Sequence, residues 1–146
     1  SMNDLVVILE IAGRRTALRA AEVHSVVELE AVQPVPRAPG HVLGLSALRS
    51  STLTVIDTAA AAGLRERREA RIGERAAIVD SAGHRYALVV DEIDDVAQVL
   101  SEPAPVPGDV GRGWSRVAEG LIETDRGPAL LLSLAALLEA PPAIAA

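Results

Sequence analysis

The 146-residue sequence has no cysteine and no phenylalanine, and it carries one tryptophan, one tyrosine and one methionine. Without cysteine there are no disulfides, no thiolate zinc sites, no thiol nucleophiles and no cysteine redox switch, a composition that fits a reducing cytosol. With two aromatic side chains in all, stacking platforms for bases or sugars are excluded, and core volume has to come from Leu, Val, Ile and Ala. Basic residues are outnumbered, 14 against 20, giving a formal charge of -6. That balance argues against nucleic acid, whose binding rests on neutralising phosphates. No apolar run reaches the roughly 18 to 20 residues that span a bilayer, and no signal-peptide pattern opens the chain, so a cytoplasmic protein without membrane insertion is expected. Ser1 ahead of Met2 reads as a tag remnant, and 141–146 as a disordered tail.

What the chain does have is internal repetition. Residues 13–29, GRRTALRAAEVHSVVEL, return as residues 83–99, GHRYALVVDEIDDVAQV. Gly44-Leu45, a polar turn and an Ala-rich tail are answered by Gly120-Leu121, Pro128 and Leu130 to Leu138. Two copies are too few for a solenoid, so a duplicated globular unit is expected.

Each copy reads as about five short strands. Leu5 to Ile11 and Arg15 to Arg19 form a hairpin across Ala12-Gly13-Arg14, and Ala76 to Val79 with Tyr86 to Val90 form its counterpart. A further strand follows in each copy, His24 to Glu30 and Asp94 to Leu100. Prolines at 34, 36 and 39, and again at 103, 105 and 107, mark irregular connections. A second hairpin closes each copy, Val42 to Ile56 and Val117 to Leu132, followed by a short helix at Thr58 to Leu64 or Leu134 to Ala140. No helix is long enough for a parallel crossover, which points to small all-β barrels.

Chemistry is sparse. His24, His41 and His84 lack ligand spacing and read as ordinary surface or loop histidines. Asp91, Glu92, Asp94 and Asp95 lack the alternation and central Gly of a calcium loop, leaving a solvated turn or an acidic contact surface. Residues 108–113 have glycines but neither a preceding strand nor a Lys-Ser or Lys-Thr ending, and read as a flexible connection. The arginines at 65, 67, 68 and 71 interleave with Glu66, Glu69 and Glu74, as in a solvated linker. No serine sits in a nucleophile setting, so neither a catalytic group nor a cofactor or metal site is expected. Arg49 stands out on the tip of the Leu48 to Leu53 hairpin among Ala47, Ser50 and Ser51, an uncovered guanidinium suited to a contact or to a solvated turn.

Gly44-Leu-Ser-Ala-Leu-Arg-Ser-Ser-Thr-Leu-Thr-Val-Ile-Asp57 resembles the CheW family of chemotaxis coupling proteins, whose pattern runs G-V-I-N-L-R-G, about three residues, then P-V-I-D-L. Gly13-x-x-Thr16-Ala-Leu and Tyr86-Ala-Leu-Val-Val-Asp91-Glu-Ile resemble two further family motifs, so that residues 4–140 are covered. The resemblance implies two tandem SH3-like five-stranded β-barrels, about 13–64 and 74–140, with strand 5–11 joining either and a short C-terminal helix. It also implies a non-catalytic adaptor between the regulatory domain of the histidine kinase CheA and the cytoplasmic tips of methyl-accepting chemoreceptors. By motif position it places receptor-binding residues at Val23, Gly44 and Arg49. Ala47, Ser50, Thr54 and Ser25 depart from the family pattern, which leaves room for a scaffold of another pathway, such as pilus or surface motility.

Overall fold

The computed structural model describes residues 4–139, so the assignments at Ser1 and 141–146 lie outside the described residues. Among the described residues ten strands occur in chain order: β1 Leu5–Ile11, β2 Arg14–Arg19, β3 Val23–Glu28, β4 Val42–Leu48, β5 Ser51–Asp57, β6 Arg75–Ser81, β7 His84–Val89, β8 Glu92–Gln98, β9 Ala118–Thr124 and β10 Gly127–Leu132. Three short helices accompany them: α1 Thr58–Ala61, α2 Arg112–Val117 and α3 Leu134–Leu138. The duplication is visible in the details. The β1–β2 turn places Ala12 and Gly13 at φ 50° and 78°, and the β6–β7 turn places Ala82 and Gly83 at 51° and 80°. Paired positive φ values are what a two-residue hairpin needs to match strand twist.

The strands form two five-stranded sheets, in the orders β8-β1-β2-β10-β9 and β3-β6-β7-β5-β4. This is the expected all-β arrangement, but the division at 13–64 and 74–140 gives way. Each sheet takes its central hairpin from one copy and its other three strands from the other. The strand at 5–11 joins β2 and β8, and parallel contacts between β2 and β10 and between β5 and β7 join the copies a second time. Neither copy holds a whole sheet, so the two can only fold as one body.

Burial follows from this exchange. The inner strands are covered on both faces, which is why they read as apolar runs rather than alternating ones. In β1, Val6 and Ile8 point into the interior of their own sheet, with Ala97, Ile122 and Leu131. Val7, Leu9 and Ile11 point the other way, into a central core shared with Ile56, Val79 and Leu88 of the second sheet. Alternate residues of β6 divide likewise, Ala76 and Ile78 facing a third cluster with Leu53 and Val55. The helices cap the central core through Trp114, Leu134 and Leu137.

Three local readings are corrected. Residues 108–113 are not a loose connection: Gly108–Val110 makes a helical turn and α2 starts at Arg112, burying Trp114 to 5% exposure beneath the Arg14 guanidinium, 5.7 Å from the ring centre. Strand β8 starts at Glu92, two residues ahead of the expected Asp94, so of the acidic cluster only Asp91 lies outside the strand. The stretch at 65–74 is anchored, because Arg65 Nη1 and the Arg68 N–H donate to Asp57 Oδ2 at 2.7 and 3.1 Å.

Candidate functional site

The second sheet carries all three residues singled out above, but in three different environments. Val23 opens β3, half-buried against the central core, directly after a helical turn at Ala20–Glu22. Beside it Arg19 pairs with Glu119, tying β2 to β9. Burial pushes the Glu22 carboxyl above its ordinary value, with Arg19 opposing the shift.

Gly44 is buried within β4 at φ 149°. Gln33 and Leu45 exchange backbone hydrogen bonds of 2.7 and 2.9 Å across it, so the Gln33-Pro34 backbone lies where a Cβ would go. A Cβ at Gly44 would fall 2.7 Å from the Gln33 carbonyl carbon and closer still to its oxygen. The glycine serves close backbone approach and offers no contact surface of its own. Gly120 repeats the device under Pro103 and Ala104.

Arg49 sits in the β4–β5 turn at φ 57°, exposed, and among the described residues it has no ion pair or hydrogen bond. It lines a cleft of about 170 Å³ with Val27, Glu28, Glu30, Leu48 and Leu53. The structure thus brings Arg49 to the end of β3, whereas Val23 begins that strand and Gly44 is enclosed; neither lines the Arg49 cleft.

Histidine placement differs from expectation at one position. His24 and His84 are exposed, but His41 is 5% exposed, its Nδ1 has no partner, and its carbonyl accepts the Asp57 N–H at 2.9 Å. Burial, and secondarily the Arg116 charge, hold its imidazole below the ordinary value of 6.5. Because the unfolded chain binds this proton more readily, stability is complete above about pH 6.5 and declines as pH falls through that value toward the depressed folded one. Urea midpoints at pH 7 and pH 5 are therefore expected to differ less in His41→Phe than in the wild type. An equal drop in both would remove His41 from the account.

Sequence reasoning passed over two features. Asp57 was visible only as the end of a motif, yet the residue is 2% exposed and its carboxylate organises the junction of β5, α1 and the 65–74 stretch. Arg116 was not singled out; it donates to the carbonyls of Ala61 and Ala136, joining α1 to α3. Neither pattern carries a local signal, since the partners are brought together by tertiary packing.

The described residues hold no grouping of His, Asp and Glu that would bind a metal. What the geometry offers instead is a two-sheet body around one shared core, with an unpaired cation on an exposed tip. The sequence model of the CheW-like domain family matches residues 5–141. The chain belongs to the CheW-like domain family. This CheW-like domain is also similar to a solved structure, the scaffolding protein TtCheW from Thermoanaerobacter tengcongensis, with a TM-score of 0.78 and 25% identity over 94% of each chain. No curated protein matches the sequence. Among the described residues of the CheW-like domain, no helix is long and apolar enough to cross a membrane.

Proposed function

We propose that the chain is a non-catalytic adaptor of bacterial chemotaxis, holding the regulatory domain of the histidine kinase CheA and the cytoplasmic tips of methyl-accepting chemoreceptors in one assembly. The observation that carries this reading is the CheW-like match over nearly the whole described chain, supported by the structural likeness to a scaffolding protein. A scaffold of this kind works by fixing geometry. Binding energy at one surface constrains the other only if the body between them does not deform, and here a single central core is shared by both sheets. The working location is the cytoplasm, beside receptor arrays, with neither nucleic acid nor a cofactor required.

Within this reading Arg49 is the leading receptor contact. It is exposed and unpaired, and guanidinium groups on uncrowded tips are favoured at interfaces. Val23 contributes apolar surface beside the junction of the sheets, and Gly44 acts through backbone placement. A second reading, a scaffold of another signalling pathway, is favoured by Ala47 and Ser50, departures from the family pattern on either side of Arg49, the first near the end of β4 and the second in the turn.

Calorimetric titration with the kinase regulatory domain and a receptor-tip fragment from the same genome tests both. Arg49→Ala is expected to weaken the receptor by roughly 1 to 3 kcal/mol while leaving the urea midpoint and the kinase affinity unchanged. Wild type binding neither partner would end the chemotaxis reading and turn attention to the proteins encoded nearby.

A further inference from the structure

The two copies of the repeat close their sheets differently. In the first sheet the outer strands are zipped past the end of β8. The Leu100 N–H donates to Glu123 O at 2.8 Å, the Asp125 N–H to Gln98 O at 3.1 Å, and the Gln98 N–H to Asp125 Oδ1 at 2.9 Å. The Glu123 N–H is taken by Ser101 Oγ at 3.0 Å, and Arg126 pairs with Asp95 at 3.1 Å across the same seam. In the second sheet the corresponding positions are Glu30, Ala47, Arg49 and Glu28, counted from the paired glycines Gly44 and Gly120 and from the repeated segments. Among the described residues no backbone hydrogen bond joins Glu28–Glu30 to Ala47–Arg49.

On its other side the tail of β3 is held as in the first sheet: Leu29 gives its N–H to Glu74 O and takes the Gly73 N–H, both at 2.8 Å, just as Val99 gives its N–H to Asp4 O at 2.9 Å. The tail meets β4 beyond this point, where Ser46 Oγ donates to Ala31 O at 2.6 Å and Gln33 exchanges backbone hydrogen bonds with Leu45. In an antiparallel ladder alternate residues turn their backbone groups outward, and since Leu45 does so, Ala47 and Arg49 do as well. The result is a short open edge, floored by Leu48 and Leu53, with an unpaired guanidinium at its end. Ser25 stands at the repeat position of Asp95 and Ser50 at that of Arg126, so the rim ion pair of the first sheet has no counterpart in the second, and Arg49, at the position of Asp125, has no carboxylate partner there.

We propose that this open seam, between Ala47–Arg49 and the tail of β3, receives an extended segment of a partner protein that carries a carboxylate, adding as a short strand to β4. The chemistry required of the segment is what the first sheet supplies to itself: backbone donors and acceptors in register, an apolar side chain for the floor, and an Asp or Glu for the guanidinium. The inference rests on the chain being a binding module and deepens the role of Arg49 within it.

Hydrogen exchange of the full chain gives the first test. The Ala47 and Arg49 amides are expected to exchange at least about tenfold faster than those of Glu123 and Asp125. The second uses a synthetic peptide with the sequence of Asp94 to Leu100, the segment that fills the equivalent seam. In the ¹⁵N spectrum it is expected to shift Ala47, Leu48 and Arg49 saturably, about fivefold less tightly in Arg49→Glu or when the Asp95 equivalent in the peptide is Ser. Equal exchange at the two seams, or no saturable shift at millimolar peptide, overturns the proposal. If the receptor tip and the kinase both bind without perturbing these amides, the adaptor reading stands and the seam proposal falls. If the peptide binds while both proteins fail to, the seam stands and the chemotaxis role falls.

Discussion

Gly44→Ala is expected to destabilise the fold by about 2 to 4 kcal/mol, the range of a strained backbone combined with a core overlap. Two effects act at once. At φ 149° an L-residue is strained whatever the space around it, and the added methyl meets the Gln33-Pro34 backbone, which cannot swing aside like the end of a side chain. Relief requires breaking the paired hydrogen bonds between Gln33 and Leu45, which hold the tail of β3 to β4. Gly120→Ala is the internal comparison. Its Cβ would approach Ala104 O at 2.7 Å and Pro103 Cβ at 2.8 Å, and no positive φ adds to the strain, so a smaller loss is expected there. Urea unfolding of both variants checks the order, and a Gly44→Ala loss below about 1 kcal/mol would show that the crossing relaxes freely. Any loss of receptor binding in Gly44→Ala would then follow from the displaced strand. Arg49→Ala is the variant that separates contact from fold.

The duplication and most of the strands were legible because they rest on local signals. The turn residues at Gly13 and Gly83, the β-branched runs and the prolines at 34 to 39 and 103 to 107 each act within a few positions of themselves. The exchange of strands between copies was not legible. Pairing β1 with β8 and β3 with β6 is decided by packing across most of the chain, and a repeat looks the same in sequence whether its copies close on themselves or on each other. Apolar runs such as Leu5 to Ile11 held a clue, since covering on both faces requires a second layer, but the identity of that layer is not written in them. At the site, the exposure of Arg49 followed from its small neighbours. The enclosure of Gly44 did not, because Gln33 reaches it from a proline-rich connection with no regular structure to predict. The linker arginines were misjudged for a similar reason: interleaved charges suggest solvent, but Arg65 and Arg68 are held by a carboxylate whose burial depends on α1.

Asp57→Ala is expected to cost about 3 kcal/mol, toward the lower end for breaking a buried ion pair because Arg65 retains access to water. The carboxylate does three things. It accepts the Ala60 N–H at 3.3 Å as the N-cap of α1, the Arg68 N–H at 3.1 Å, and Arg65 Nη1 at 2.7 Å, with its own side chain 3% exposed. Removing it leaves the buried Ala60 N–H and the part-buried Arg68 N–H without an acceptor and frees the 65–74 stretch, whose far end holds Leu29 through Gly73 and Glu74. The duplicated copy measures the cap alone. Ser133 caps α3 by accepting the Ala136 N–H at 3.2 Å and anchors no linker, so Ser133→Ala is expected to cost only about 1 kcal/mol. Asp57→Asn should fall between the two, since an amide oxygen can still accept from the backbone but carries no charge for Arg65. If Asp57→Ala and Ser133→Ala prove equal by urea unfolding, the linker contacts contribute nothing and the carboxylate is an ordinary cap. If the difference appears, the amide of Arg68 should lose exchange protection together with that of Leu29, because one anchor at Asp57 fixes both the linker and the tail of β3 that borders the open seam.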